Sequence, residues 1–201
     1  KNMNHELQNF AKSKYPAGKS DLFAAFLERS SELCKASGYF AMINMQSWMF
    51  LSSFELLRQH VLESATITNM AHLGERAFST IGGSIVSTTA FVMVKRTSPI
   101  VGKFLRLIEG VSEQQKEMLA KAAAAGLRKD LIFKARSSDF QKIPGRPVAY
   151  WLSDEIVASF DDGKPFEGLA PTRKGMVTAR NAIYVRDWPE VSLSKVGFDN
   201  M

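Results

Sequence analysis

The groups best suited to acid–base chemistry or metal binding are few in this chain, and they are scattered. His5, His60 and His72 fall in no metal-ligand spacing, and the single cysteine, Cys34, can form neither a zinc site nor a disulfide framework. No glycine-rich phosphate cradle occurs; Gly82-Gly83 separates two apolar runs, where a tight turn explains it. No nucleophile-elbow pattern surrounds a serine. What remains is charge. Arg173, Lys174, Arg180 and Arg186 have no acid between them, and a second basic stretch from Arg128 to Arg146 is broken only by Asp130 and Asp139. Between these stretches lie Asp154, Glu155, Asp161, Asp162 and Glu167. Such segregation suits a polyanion-binding patch after folding, although on charge alone a solvated face is the more economical explanation.

The elements that would position these residues follow from periodicity. Ser20 is placed to cap a helix with Leu22, Phe23, Phe26, Leu27, Leu33 and Cys34 at helical spacing, ending near Gly38. Tyr39 to Met45 is a short run, apolar but for Asn44, and predicts a strand buried on both faces. Ser52 and Glu55 have capping-box spacing ahead of a helix to about Glu63. Strands are expected over Thr66–His72 and Ile85–Lys95; the want of an intervening helix suits antiparallel pairing of the second, which the sequence alone does not decide. Beyond Pro99 the reading is helical over Val101–Ile108 and again over Ser112–Ala125, with Gly126 as the stop. A strand at Leu131–Lys134, a turn at Pro144-Gly145 and a helix over Val148–Phe160, broken near Ser153, complete it. From Gly163 onward, short strands and loops are expected.

The 201 residues, 45% apolar and 23% charged with a net charge of +6, are enough for one sizeable core plus an appendage. The lone cysteine favours a cytoplasmic chain and reads as a small buried hydrophobe. No apolar run is long enough to span a bilayer, and the residues from Lys1 resemble neither a signal peptide nor an ordinary start, so the coding sequence is expected to begin upstream. The residues by themselves give an α/β unit, helices and a basic tail, and no reaction.

Three motifs in order carry a resemblance: Lys19-Ser-Asp-Leu-Phe-Ala-Ala-Phe26, Gly38-Tyr-Phe-Ala-Met-Ile-Asn-Met-Gln-Ser-Trp-Met-Phe50 and Leu73-Gly-Glu-Arg-Ala-Phe78. Together with Ile143-Pro-Gly-Arg-Pro-Val-Ala-Tyr-Trp-Leu-Ser153 they resemble the part of N6-adenine DNA methyltransferases that follows the Asn-Pro-Pro-Tyr/Phe motif, and most closely the large methyltransferases of bacterial phage-exclusion systems. The resemblance implies the C-terminal half of a Rossmann-like, S-adenosylmethionine-dependent methyltransferase sheet over 1–98, a helical connector over 99–162 and the start of a target-recognition domain over 163–201.

It also implies roles. Phe26 matches an aromatic that packs on the cofactor's adenine; a core-facing helix residue is the competing explanation. Phe78 matches the aromatic that packs against the extruded target base, with one residue more than the shorter family spacing; its alternative is a ring packed beneath a loop. Trp48 is expected to be structural, beside the pocket. Arg173, Lys174 and Arg180 match the opening of the recognition domain, where they would contact the phosphates of double-stranded DNA, or else are simply exposed charges.

The amino-group acceptor motif is absent from these residues, so the chain alone is expected to be inactive. Two other readings stay open at this stage: a non-catalytic DNA-binding or protein-interaction module, and a helical surface over Val101–Ala125 that docks another phage-defence subunit. An incomplete sheet is also expected to leave an apolar edge through which two copies pair.

Overall fold

The computed structural model describes residues 3–79 and 86–164. It opens with α1 (His5–Lys14), which periodicity did not reveal and which Asn4 caps by accepting from Leu7 N at 2.9 Å. Next comes α2 (Leu22–Leu33), capped by Asp21 rather than Ser20: Asp21 is the residue with extended backbone, and its carboxylate accepts from Phe23 N. The buried stripe of α2 is Ala24, Leu27, Glu28 and Ser31, whereas Phe26 and Leu33 are exposed. Glu28 belongs inside because its carboxylate accepts the backbone N–H of Gly18 at 2.8 Å. Cys34 follows α2 and is half-buried, its thiol donating to Lys35 O, so it is not the enclosed hydrophobe expected.

Strand β1 (Tyr39–Met45) forms where its apolar run predicts, but with only one face inward. It is an edge strand: Phe40, Met42 and Asn44 point to the core, while Tyr39 and Ile43 are exposed. Two short 3₁₀ turns (Gln46–Met49 and Ser52–Phe54) lead into α3 (Glu55–Ser64). Ser52 lies within the second turn and caps nothing; Phe54 occupies the N-cap position without a side-chain bond.

Strands β2 (Thr66–Gly74) and β3 (Thr88–Val94) are antiparallel, the pairing that the want of an intervening helix suits. The Gly82-Gly83 turn lies outside the described residues. The stretch after Pro99 is a correction: Val101–Arg106 is strand β4, not helix. Its alternation of exposed Val101 and Lys103 with buried Gly102 and Phe104 has the period of a strand. Gly102 is required there, since a Cβ would sit 2.5 Å from Ile67 O on the neighbouring strand.

Helix α4 (Glu113–Ala124) has the predicted N-cap, Ser112 Oγ accepting from Gln115 N at 3.2 Å, but the reciprocal half of the capping box is shifted by one residue: Gln115 Oε1 accepts from Val111 N at 2.7 Å. Gly126, at φ +77°, ends it. Strand β5 (Ile132–Arg136) and α5 (Ser137–Lys142) follow. The turn at Gly145 and Arg146 has positive φ at both residues. Residues 148–152 form no helix, but Ser153 does cap α6 (Asp154–Asp162), accepting from Ile156 N.

The sheet order is β1-β3-β2-β4-β5. β3 runs antiparallel between β1 and β2, β2 and β4 are parallel, and β5 closes antiparallel. β1, β2 and β4 therefore point the same way and end at one edge. One face carries the main core, where Leu27 and Leu57, Val61 and Leu62 of α2 and α3 meet Ile67, Met70, Phe91, Met93 and Phe104. On the other face a smaller cluster joins Leu105 and Leu107 to Leu119, Ala120 and Ala123 of α4.

One buried cation ties the first face to the later chain. Arg58 of α3, 2% exposed, donates to Trp48 O (2.9 Å), Leu51 O (2.7 Å) and twice to Gly145 O (2.9 and 2.6 Å). Replacing it by methionine keeps the stem but takes the guanidinium from three carbonyls, of which Leu51 O still accepts from Phe54 N at 3.1 Å, so Arg58→Met should cost about 3–5 kcal/mol and lower the melting temperature by roughly 10 °C; an unchanged melt would show that the network is dispensable. Gly102→Ala should cost about 1–3 kcal/mol through its collision with β2, read in the same thermal melt, and a neutral result would contradict the close approach of the two strands.

Candidate functional site

Open α/β sheets bind ligands beyond the carboxyl ends of their parallel strands, and in this sheet that edge is polar. The register pairs Asn44 with Thr89, Thr89 with His72 and His72 with Arg106, so four adjacent strands each place one polar residue in a single row. Directly paired residues share a face, here the face of the main core. Each of these apolar strands turns polar at this edge, just where the core ends.

His72 is the centre of the row. It is 5% exposed, with Nε2 2.7 Å from Gln46 Oε1 and Nδ1 2.9 Å from the Tyr150 hydroxyl. With an amide oxygen facing Nε2, that nitrogen carries the proton and Tyr150 donates to Nδ1. Burial, then the charges of Arg106 and Lys116, push its pKa down to about 4, so the ring is neutral.

Tyr150 is fixed by rings on several sides. It stacks on Phe104 (4.9 Å, 7° between planes) and meets Phe133 and Trp151 edge-on at 5.5 and 5.0 Å. Burial raises its phenol well above the ordinary range, so it stays a hydrogen-bond donor. Trp151 packs against Phe50 at 5.7 Å, and Arg106 lies 5.5 Å from the centre of its indole ring. Val148 N donates to Met49 O at 3.0 Å, adding a backbone tie between this segment and the turn after β1. Trp48 is fully buried against Phe91, a structural role as expected.

The side chain of Asn44, 8% exposed, has no hydrogen-bond partner for either amide atom among the described residues. No cluster of acids, histidines and cysteine that could hold a metal occurs among the described residues.

Phe78 lies in the loop after β2. The strand ends at Gly74 (φ +67°), packed on Ile108, and Ser79 N donates to Glu113 at the start of α4 at 2.7 Å. Half-buried Phe78 lines a hollow of about 400 Å³ with Arg76, Val111 and Glu113. Phe26 lines a different, apolar hollow of about 190 Å³ between α1 and α2, beside Phe10, Tyr15 and Arg29. It is 62% exposed, which removes the core-facing explanation. The two aromatics thus sit in separate hollows. Arg173, Lys174 and Arg180 lie outside the described residues.

Sequence reasoning tested His72 only as a metal ligand and missed its network. The available signal was register: in Thr66–His72 its place among the inward residues puts an imidazole on the core face, where it must find partners.

Comparison with known proteins defines the class first. Residues 1–78 match the family model of the Eco57I restriction-modification methylase. The fold is shared with a type IIG restriction endonuclease, BpuSI, which superposes with a TM-score of 0.52 at 14% identity over 78% of this chain and 20% of that one.

More particularly, the chain is homologous to one segment of two adenine-specific methyltransferases. It is 41% identical over 96% of its length to PglX of Lacticaseibacillus casei (strain Zhang), and 41% identical over 96% to BrxX of Escherichia coli O9:H4 (strain HS). It spans 16% of the length of each of these relatives.

The neutral histidine makes stability depend on pH. Its folded pKa of about 4 lies below the ordinary 6.5, so its contribution is complete above pH 6.5 and is lost as pH falls toward 4, where the unfolded chain alone takes up the proton. Between pH 7 and pH 5 the wild type should lose roughly 1–2 kcal/mol more than His72→Gln in denaturant titrations; equal losses would show that the folded state does not exclude that proton.

Proposed function

We propose that this chain is part of an adenine-specific DNA methyltransferase of bacterial phage defence, which moves a methyl group from S-adenosylmethionine to the exocyclic N6 of adenine in double-stranded DNA. The observation that carries this reading is 41% identity to PglX across 96% of the chain. Bound S-adenosylmethionine would supply the electrophilic methyl; the adenine amine takes it and gives up a proton, and the thioether leaves.

The residues described fit part of that task. Exposed Phe26, in a hollow with Phe10, Tyr15 and Leu22, offers the apolar wall against which a purine can stack. The hollow's lining includes no acid to bind a ribose, so its contribution is to hold the cofactor's adenine ring. Phe78, on a loop pinned by Gly74 and by the Ser79–Glu113 bond, is the surface for an adenine extruded from the duplex, whose amino group is otherwise inaccessible within the stack. Arg173, Lys174 and Arg180 would neutralise phosphates and position the duplex without reading its sequence. The Asn-Pro-Pro-Tyr/Phe motif that would accept a hydrogen bond from the amine is not among these 201 residues, so the chain by itself should not methylate.

The test is expression of the full-length parent in a host without adenine methylation, followed by quantification of N6-methyladenine in digested DNA by mass spectrometry. The modified base should accumulate with the parent and not with residues 1–201 alone. Phe78→Ala should slow its formation about 5- to 100-fold, the equivalent of about 1–3 kcal/mol of base stacking. A folded, expressed parent that leaves the DNA free of N6-methyladenine would sink the proposal.

A further inference from the structure

The segment 143–151 crosses the carboxyl edge of the sheet and is held there at several points. Arg58 grips Gly145 O, Val148 N donates to Met49 O, and Trp151 packs between Phe50 and Arg106. Each of these is a hydrogen bond to a backbone carbonyl or a contact with a ring. Among the described residues, the one hydrogen bond from this segment to the functional end of β2 runs through side chains: the Tyr150 hydroxyl to His72 Nδ1, and His72 Nε2 on to Gln46.

Both ends of that chain are immobilised. Tyr150, 1% exposed, has Phe104, Phe133 and Trp151 around its ring, so its hydroxyl has one direction to point. Gln46 continues the β1–β3 pairing, its N–H bonded to Ser87 O at 2.9 Å. His72, with a bond on each ring nitrogen, cannot turn without breaking one. Just after His72 comes Gly74, the start of the loop that carries Phe78; just after Tyr150 comes α6, and the residues assigned to DNA contact follow it in the chain.

We propose that the Tyr150–His72–Gln46 chain is a positioning device for methyl transfer, locking the base-stacking loop after β2 in register with the segment that leads to the DNA-recognition residues. This rests on the methyltransferase reading above. His72 and Tyr150 touch neither base nor cofactor; they fix the loop that receives the base relative to the segment from which the chain continues toward its DNA-contacting residues. A neutral imidazole suits this task, since a charge there would repel Arg106. Misplacing reacting groups by about 1 Å can slow a reaction on the order of a hundredfold without weakening binding.

The experiment uses the full-length methyltransferase with unmethylated genomic duplex DNA and tritiated S-adenosylmethionine. It compares wild type, Tyr150→Phe, His72→Asn and the double variant. Tyr150→Phe keeps the ring stack and should melt within a few degrees of wild type. Its single-turnover transfer rate should fall about 10- to 100-fold, while affinities for duplex DNA and S-adenosylmethionine stay within about threefold. If the two residues act as one device, the double variant transfers no more slowly than the worse single variant, a non-additivity that independent structural damage does not produce.

A Tyr150→Phe rate within twofold of wild type would overturn the positioning role, as would losses that multiply in the double variant or that follow loss of cofactor binding. In those cases the wild type still methylates and the functional reading stands. Absence of transfer by the wild type overturns both.

Discussion

The turns at the carboxyl edge of the sheet depend on one buried guanidinium. Arg58 donates to no carboxylate among the described residues; its charge is dispersed over three backbone carbonyls, those of Trp48, Leu51 and Gly145. Burial lowers its pKa, offset in part by Glu55 in the same helix, and a guanidinium starts so high that it remains charged. The geometry of its donors dictates where the two 3₁₀ turns after β1 lie, and where the turn at Gly145 meets them. Between Gly145 and Tyr150 the segment adds one backbone bond to the turn after β1, Val148 to Met49, and the rings of Phe104, Phe133 and Trp151 then hold Tyr150 itself.

The sheet supplies the second half of the arrangement. Because β3 is inserted antiparallel, β1 and β2 can both end at the same edge while sitting one strand apart. The gap is the width of one strand, and Thr89 fills it between Asn44 and His72. The core below is apolar and aromatic, so the polar row is backed by material that neither donates nor accepts hydrogen bonds. Within the row His72 finds its partners sideways and upward, in Gln46 and Tyr150, while the Thr89 hydroxyl donates to Ala71 O on the neighbouring strand. That geometry makes a buried histidine stay neutral and directional.

Legibility in the sequence followed how local the cause was. Strands β1, β2, β3 and β5 and helices α2 to α4 could be read because apolar period and caps are local, and Ser112 accepts from Gln115 N as its spacing implied. The strand at Val101–Arg106 was read as helix because six residues fit either period; parallel pairing with β2, a partner distant in sequence, decided it. Ser20 and Ser52 lost their capping roles to backbone conformations that side-chain type does not specify. The motif resemblance singled out Phe26 and Phe78; the structure shows the first to be exposed and the second half-buried in the loop after β2. The His72 network was illegible because its members, Gln46, His72 and Tyr150, come from three distant stretches that only the register and the Arg58-anchored turn bring together.

The inserted strand also sets an order of events during synthesis. Met45 pairs with Thr88 and Tyr39 with Val94, so β1 leaves the ribosome well before the strand that hydrogen-bonds it, with the whole of α3 and β2 made in between. At about 5–20 residues per second, β1 waits on the order of two to ten seconds with a bare row of amides and carbonyls. At the start of that interval α2, already made, is the helix of the main core available to shield it. The nascent chain is therefore most vulnerable to wrong partners at this stage, and codons between residues 46 and 88 govern how long that window stays open.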